Sequence, residues 1–143
     1  MTTLWRLVPW INRLVLLFPT AIFTLIGLRS ISDPVHAAAE SGIVLDSPLA
    51  VTIMRVGFGG FPLAFAIITF ACLISTRRHL IGLSLVATVV AVLLVIRIVA
   101  VTIDHTASLN AMLLRAEAIL LTVVTAGLLM ETGRRRNRPL NPA

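Results

Sequence analysis

Residues 80–96 read LIGLSLVATVVAVLLVI, and from Leu80 to Ile96 no side chain carries a charge. Arg97 interrupts the run, which then resumes to Ile103, so the stretch 80–103 has the ~20 mostly apolar residues an α-helix needs to cross ~30 Å of hydrocarbon. Three further stretches of the same kind surround it. One covers about 10–28, with an apolar core from Leu14 and Pro19 in its middle. Another covers about 48–74 and is uncharged from Val56 to Ile74, and the last covers about 110–130 and carries Arg115 and Glu117 near its start. Only helices and closed barrels satisfy their own backbone in lipid, and no strand-like alternation competes. The pattern predicts an all-α, four-helix transmembrane bundle forming a single membrane domain over residues 1–143, with residues 134–143 as a basic cytoplasmic tail.

Composition points the same way. Of the 143 residues 58% are apolar, and the mean hydropathy of +1.02 lies far outside what a soluble domain of this size carries. Every one of the 12 basic residues is arginine, against 6 acidic residues, for a net charge of +6. The absence of lysine excludes Schiff-base and Walker-A chemistry. Cys72 is the single cysteine, has no partner for an internal disulfide and reads as a small apolar residue in a helix. His36, His79 and His105 fall in loops or at helix ends, too far apart in sequence for metal or haem ligation within the bundle. No Gly-x-Ser-x-Gly, His-Glu-x-x-His or Cys-x-x-Cys occurs, so neither an enzyme nor a cofactor is expected.

The connections set topology. Ser32, Asp33 and Pro34 start a helix, Gly42 stops one, and Asp46, Ser47 and Pro48 start another, which predicts a short surface helix over about Val35 to Ser41. The links Thr76 to His79 and Asp104 to Leu109 are short, so the last three spans are antiparallel neighbours, with Ser108 or Asn110 as the N-cap of the fourth. Arg6, Arg13, Arg77, Arg78, Arg134, Arg135, Arg136 and Arg138 all fall on one side of a four-span topology, while Asp33, Glu40, Asp46 and Asp104 share the other side with Arg29. The positive-inside rule then places both termini in the cytoplasm, with Trp5 and Trp10 in the inner aromatic belt, as expected in a bacterial inner membrane. A secretory signal ending near Ala37 to Ala39 is the rival reading of the first segment, but its apolar stretch is too long and the small-residue site too distant. The terminal arginines read as a solvated anchor that fixes topology; contact with anionic lipid is the lesser reading, and no nucleic-acid partner is expected.

Charge within spans costs several kcal/mol unless it is paired or wetted, so Arg55, Arg97, Arg115 and Glu117 stand out. Arg55 follows Pro48 by seven residues, Arg97 precedes Asp104 by seven and Glu117 follows Asn110 by seven, each ~10 Å below the outer end of its helix at ~1.5 Å per residue. Arg97 and Glu117, on antiparallel neighbours, are placed to form an ion pair. Asp104 lies two turns above Arg97 on the same face and can meet Arg55 or Arg97. Arg115 points elsewhere and can snorkel to the interface. If Asp104 joins, the layer closes on itself; if it faces water, one positive charge is left over, suited to a carboxylate or phosphate.

The second span also carries Gly57, Gly59, Gly60 and Pro62. Gly60 and Ala64 form a small-xxx-small face for close helix approach, and Pro62 frees the carbonyl of Phe58 and should bend the helix. Bare backbone beside Arg55 is alternatively a pocket lining of the kind broken helices make in transporters.

Arg55-Val56-Gly57-Phe58-Gly59-Gly60 opening the second span, Arg97 and Asp104 closing the third and Glu117 early in the fourth together resemble a bacterial family of small four-helix integral membrane proteins catalogued as a domain of unknown function. The resemblance covers about residues 48–131, with Pro62 a departure from the pattern. It implies the four-helix fold and the same charged positions, and no reaction. The expected function is that of an integral membrane protein whose outer-side cluster of Arg55, Arg97, Asp104 and Glu117 stabilises the bundle and has the chemistry to bind a small anion or lipid headgroup. The rivals are an accessory subunit of a larger membrane complex, docking through Gly60 and Ala64, and a small transporter-like protein. Membrane lipids, a second copy or a complex subunit are the partners these readings allow.

Overall fold

Long apolar runs without turn signals leave the backbone only its own carbonyls to bond, and a computed structural model of the chain shows the result. Its described residues are 2–137, with side chains described from Leu7 onward except at residue 109, and they are helical with no strand. The helices are α1 (Thr2–Ser32), α2 (Pro34–Glu40), α3 (Pro48–Met54), a π-turn over Arg55–Gly60, α4 (Phe61–Ile74), α5 (His79–Asp104) and α6 (Ala107–Arg136). Four stretches are long and apolar enough to cross a membrane: Leu7–Ser32, Pro48–Ile74, His79–Asp104 and Asn110–Arg136. The all-α architecture with four long apolar helices and a short one is therefore the one the sequence predicts.

Two compact units divide the chain: residues 17–71, and residues 1–16 together with 72–143. In the first, Gly27 of α1 meets Gly59 of the π-turn so closely that a Cβ on Gly27 would lie 3.0 Å from the Gly59 carbonyl oxygen and from Leu63. The Thr20 hydroxyl donates to that of Thr69 at 3.0 Å, and Phe23 packs edge-on against Phe65 with centroids 4.7 Å apart. The short helix α2 begins as expected: Asp33 caps it by accepting from the His36 amide at 3.2 Å, Pro34 occupies its first turn, and Gly42 follows it at φ 73°, a left-handed conformation that glycine takes without a steric penalty. Arg29 pairs with Glu40 and ties the end of α1 to α2. Ser47 caps α3 through the Ala50 amide at 3.1 Å.

In the second unit α5 and α6 form an antiparallel hairpin, joined by the start of α1 and the end of α4. Leu16, Leu83, Val86, Val90 and Val124 are buried, and Gly82 lets α5 approach Cys72 and Leu16. Cys72 is accordingly a small buried packing residue. Outward faces in both units are apolar: Leu14 and Leu25 are 68% exposed and Ile103 69%, as suits helices long and apolar enough to cross a membrane.

Several details differ from the sequence reading. The fourth span does not stop near Met130: α6 runs on to Arg136, so Arg134, Arg135 and Arg136 form its last turn and are not a free tail. Helix continues because Glu131 answers two of these arginines. Arg138 and the rest of 138–143, and the side chains of Trp5 and Arg6, lie outside the described residues. Thr106, not Ser108 or Asn110, is the N-cap residue of α6, and it makes no side-chain cap bond. At Pro62 the structure adds a feature the sequence reading lacked: the turn before it widens to π, the Phe61 amide bonding the Val56 carbonyl, a spacing that absorbs a residue next to a proline unable to donate. Finally, Gly59 and Gly27 make the close approach, whereas Gly60 and Ala64 are exposed.

Candidate functional site

Arg97 sits two turns before the end of α5 and Glu117 nearly three turns into α6, positions that an antiparallel hairpin brings to the same level. Arg97 Nε donates to both Glu117 oxygens at 2.9 Å, and Nη2 donates to Oε1 at 2.7 Å. The contact is two-pronged, through Nε and Nη2, the mode that makes arginine the residue of choice for a carboxylate in a poorly hydrated place. Arg97 Nη1 donates to Asn110 Oδ1 at 3.2 Å, and Asn110 Nδ2 donates in turn to the Thr106 hydroxyl and carbonyl, each at 3.2 Å. The guanidinium is thus tied to the α5–α6 turn as well as to α6. The side chains are 29% and 16% exposed, and the spans, at 26 and 27 residues, are ~40 Å long, so this pair lies only ~5 Å inside a ~30 Å hydrocarbon layer.

Asp104 is exposed and lines, with Arg97, Ala100, Thr106 and Asn110, a cleft of about 330 Å³. Its carboxylate forms no ion pair with a described residue. Arg55 belongs to the other unit, is exposed, and likewise has no hydrogen-bond or ion-pair partner among the described residues. Arg115 is exposed, as a snorkelling residue is expected to be. Of the four residues expected to cluster, the structure joins Arg97 to Glu117 and places Asp104 on the same cleft. Gly57 has nothing within 4 Å of a built Cβ, so no described backbone or side chain packs on it.

A second polar cluster, unforeseen, occupies the other end of the same hairpin. Glu131 is fully buried and accepts from Asn12 Nδ2 of α1 at 3.2 Å, from Arg134 Nε at 2.8 Å and from Arg135 Nε at 3.0 Å. Arg135 Nη2 also donates to the Arg77 carbonyl at 2.7 Å and so fastens the α4–α5 link to α6. His79, fully buried, bonds the Leu73 carbonyl through Nε2 at 3.3 Å. As the sequence predicts, it stands at a helix end, the first residue of α5. A signal for the cluster did exist: Glu131 followed at i+3 and i+4 by arginines is a helical ion-pair spacing. Trp10 and Arg13, one turn apart on α1 and either side of Asn12, stack with the guanidinium carbon 4.8 Å from a ring centroid.

Among the described residues no group of three His, Cys, Asp or Glu converges to hold a metal ion. The fold and these paired charges define a multi-pass integral membrane protein. No family model matches the chain, and no curated protein or solved structure matches it.

Proposed function

We propose that this chain is a non-enzymatic, multi-pass protein of the bacterial cytoplasmic membrane, both termini in the cytoplasm, in which Arg97 and Glu117 pin α5 to α6 near the outer face. It is a candidate member of the small four-helix family it resembles. The observation that carries the reading is the two-pronged Arg97–Glu117 pair, closed further by Asn110. A guanidinium whose charge is already answered has little left for an anion, and the remaining charge on the neighbouring cleft is the carboxylate of Asp104. Charge bookkeeping therefore favours a structural role over capture of an anion there.

A double-mutant cycle tests it. In detergent, Arg97→Leu and Glu117→Leu each lower the unfolding free energy by about 3 kcal/mol, because each leaves one uncompensated charge in a low-dielectric place, while the double variant loses less than either single. Additive losses, or singles indistinguishable from wild type, would remove the pin. Accessible-cysteine labelling at Ser108 and Asn137 in a Cys72→Ala background tests the orientation: Ser108 reacts from outside and Asn137 only after permeabilisation.

The second reading, an accessory subunit, is supported by one observation: Gly60 and Ala64 stand four residues apart on an exposed, apolar part of the second span. Mild-detergent purification separates the two, since a partner retained at fixed stoichiometry and lost on Gly60→Leu favours the subunit.

A further inference from the structure

Arg77, Arg134 and Arg135 line a cleft of about 300 Å³ together with Thr76, at the junction of the α4–α5 link with the end of α6. Its size is at the low end of the ~300–1,000 Å³ typical of small-molecule sites. Three arginines line it, and one carboxylate, Glu131, is bonded to two of them. Two positive charges are left over. The C-terminal end of α6 offsets about half a charge and does not change the sign. The other acids of this unit are remote: Glu117 lies 17 residues from Arg134 along α6, or ~25 Å, and Asp104 is at the far end of α5.

Donors remain as well as charge. Arg134 spends Nε and one Nη2 hydrogen on Glu131, and Arg135 spends Nε on Glu131 and Nη2 on the Arg77 carbonyl, so Nη1 of each is uncommitted among the described residues. The Arg77 side chain is exposed and makes no hydrogen bond or ion pair with a described residue, and neither does the Thr76 hydroxyl. Arg134 is 91% buried by contrast, its side chain being 9% exposed, so one wall of the cleft is preformed and held by Glu131. A set of guanidinium donors around a small cleft, one rigid and one free to close, is matched by tetrahedral oxyanions.

We propose that this cleft binds a phosphate group, supplied by the headgroup of an anionic phospholipid. Its place supports that source. It sits where the second span ends at Ile74, the third begins at His79 and the fourth ends at Arg136, the level of the lipid phosphates. Arg134 and Arg135 hold one face, and Arg77 closes over the phosphate with Thr76 donating from the link. The site is separate from the Arg97–Glu117 pair and stands whether or not that pair acts as a pin.

The test is native mass spectrometry of the full chain released from detergent, with phosphatidylglycerol or phosphatidylcholine added and with or without millimolar inorganic phosphate. One phosphatidylglycerol per chain is retained in preference to phosphatidylcholine. Arg77→Gln weakens that retention about tenfold or more by removing a charge-assisted hydrogen bond. Arg78→Gln, an equal loss of charge one residue outside the cleft, weakens it by at most about fivefold through general surface attraction. Both positions are exposed, so both variants should fold. Equal retention of the two lipids, or equal effects of the two substitutions, overturns the site. Displacement of the lipid by inorganic phosphate at matched concentration overturns the lipid as its occupant and assigns the cleft to soluble phosphate.

Discussion

Glu131 and Arg134 lie one helical turn apart on α6 and close on each other at a largely buried place: the carboxylate is fully buried, the guanidinium side chain is 9% exposed at the wall of the cleft, and Arg134 Nε donates to Oε2 at 2.8 Å. Such a local pair would be worth a few tenths of a kcal/mol on an exposed helix. Here it is the centre of a wider tie. Asn12 reaches it from α1, and Arg135 links it to the backbone of Arg77, so three segments distant in sequence meet at one carboxylate.

Removing the charge at this centre should be costly. Glu131→Gln keeps the shape and an acceptor for Asn12 but leaves Arg134 buried with no counter-charge, and a loss of about 3 kcal/mol is expected. Asn12→Ala removes a single hydrogen bond and should lose about 1–2 kcal/mol, including the vacated space. Chemical unfolding in detergent, followed by helical circular dichroism, ranks the two. A Glu131→Gln protein as stable as wild type would mean that the carboxylate is not what holds α6 to α1.

Exchanging Arg97 and Glu117 separates charge from position. Arg97→Glu or Glu117→Arg alone places two like charges in contact within the edge of the hydrocarbon and should prevent stable assembly, at a cost of about 4 kcal/mol or more. The double exchange restores opposite charges across α5 and α6 and should recover more than half of that loss. It should not recover all of it, because the Arg97 bond to Asn110 Oδ1 has no equivalent when arginine is on α6. Yield of monodisperse protein by size exclusion, and its thermal midpoint, measure both effects.

The contact of α5 with the end of α4 depends on a missing side chain. A Cβ at Gly82 would fall 2.7 Å from the Cys72 Cβ and 3.2 Å from a Leu16 methyl. Neither neighbour can swing away, since one is fixed to its backbone and Leu16 is fully buried. Gly82→Ala should therefore cost about 2 kcal/mol despite alanine's better helix propensity, and pairing it with Cys72→Gly should restore part of the loss. Thermal unfolding of the two singles and the double decides it.

The spans, the short helix α2 and the Arg97–Glu117 pair were legible in the sequence because each rests on one-dimensional information: runs of apolar residues, Asp33-Pro34 and Ser47-Pro48 start signals, and equal offsets from helix ends. The cluster around Glu131 was not legible as a buried one. Hydropathy falls as arginines accumulate, so the last turn of α6 looks like a tail; only pairing with Glu131, and a contact from Asn12 across 119 positions, makes it helix and interior. Nor does hydropathy distinguish Gly59 from Gly60. The π-turn spends an extra residue on one turn, so side chains along it face other directions than in an unbroken α-helix, and it is Gly59 that stands against Gly27.

That placement of Gly59 can be tested directly. At Gly57 an added Cβ meets nothing within 4 Å, and at Gly60 only the Arg55 carbonyl at 4.0 Å, so alanine at either should be neutral within about 0.5 kcal/mol. At Gly59 the Cβ would sit 2.5 Å from Cγ1 of Ile31, a half-exposed side chain that can change rotamer, and a cost of about 1 kcal/mol is expected. Gly27 is the severe case. Its Cβ would lie 3.0 Å from the Gly59 carbonyl oxygen, the Leu63 amide nitrogen and the Leu63 Cβ, which are backbone or fixed to it, so α1 and the second span can relieve the clash only by separating. Gly27→Ala should cost about 2–3 kcal/mol, and Gly27→Leu should abolish the contact. Thermal unfolding in detergent orders the four alanine variants, with Gly27 the least stable, Gly59 next and Gly57 and Gly60 near wild type. If Gly60→Ala proves worse than Gly59→Ala, an unbroken α-helix through this segment, without the wider turn, is the correct geometry.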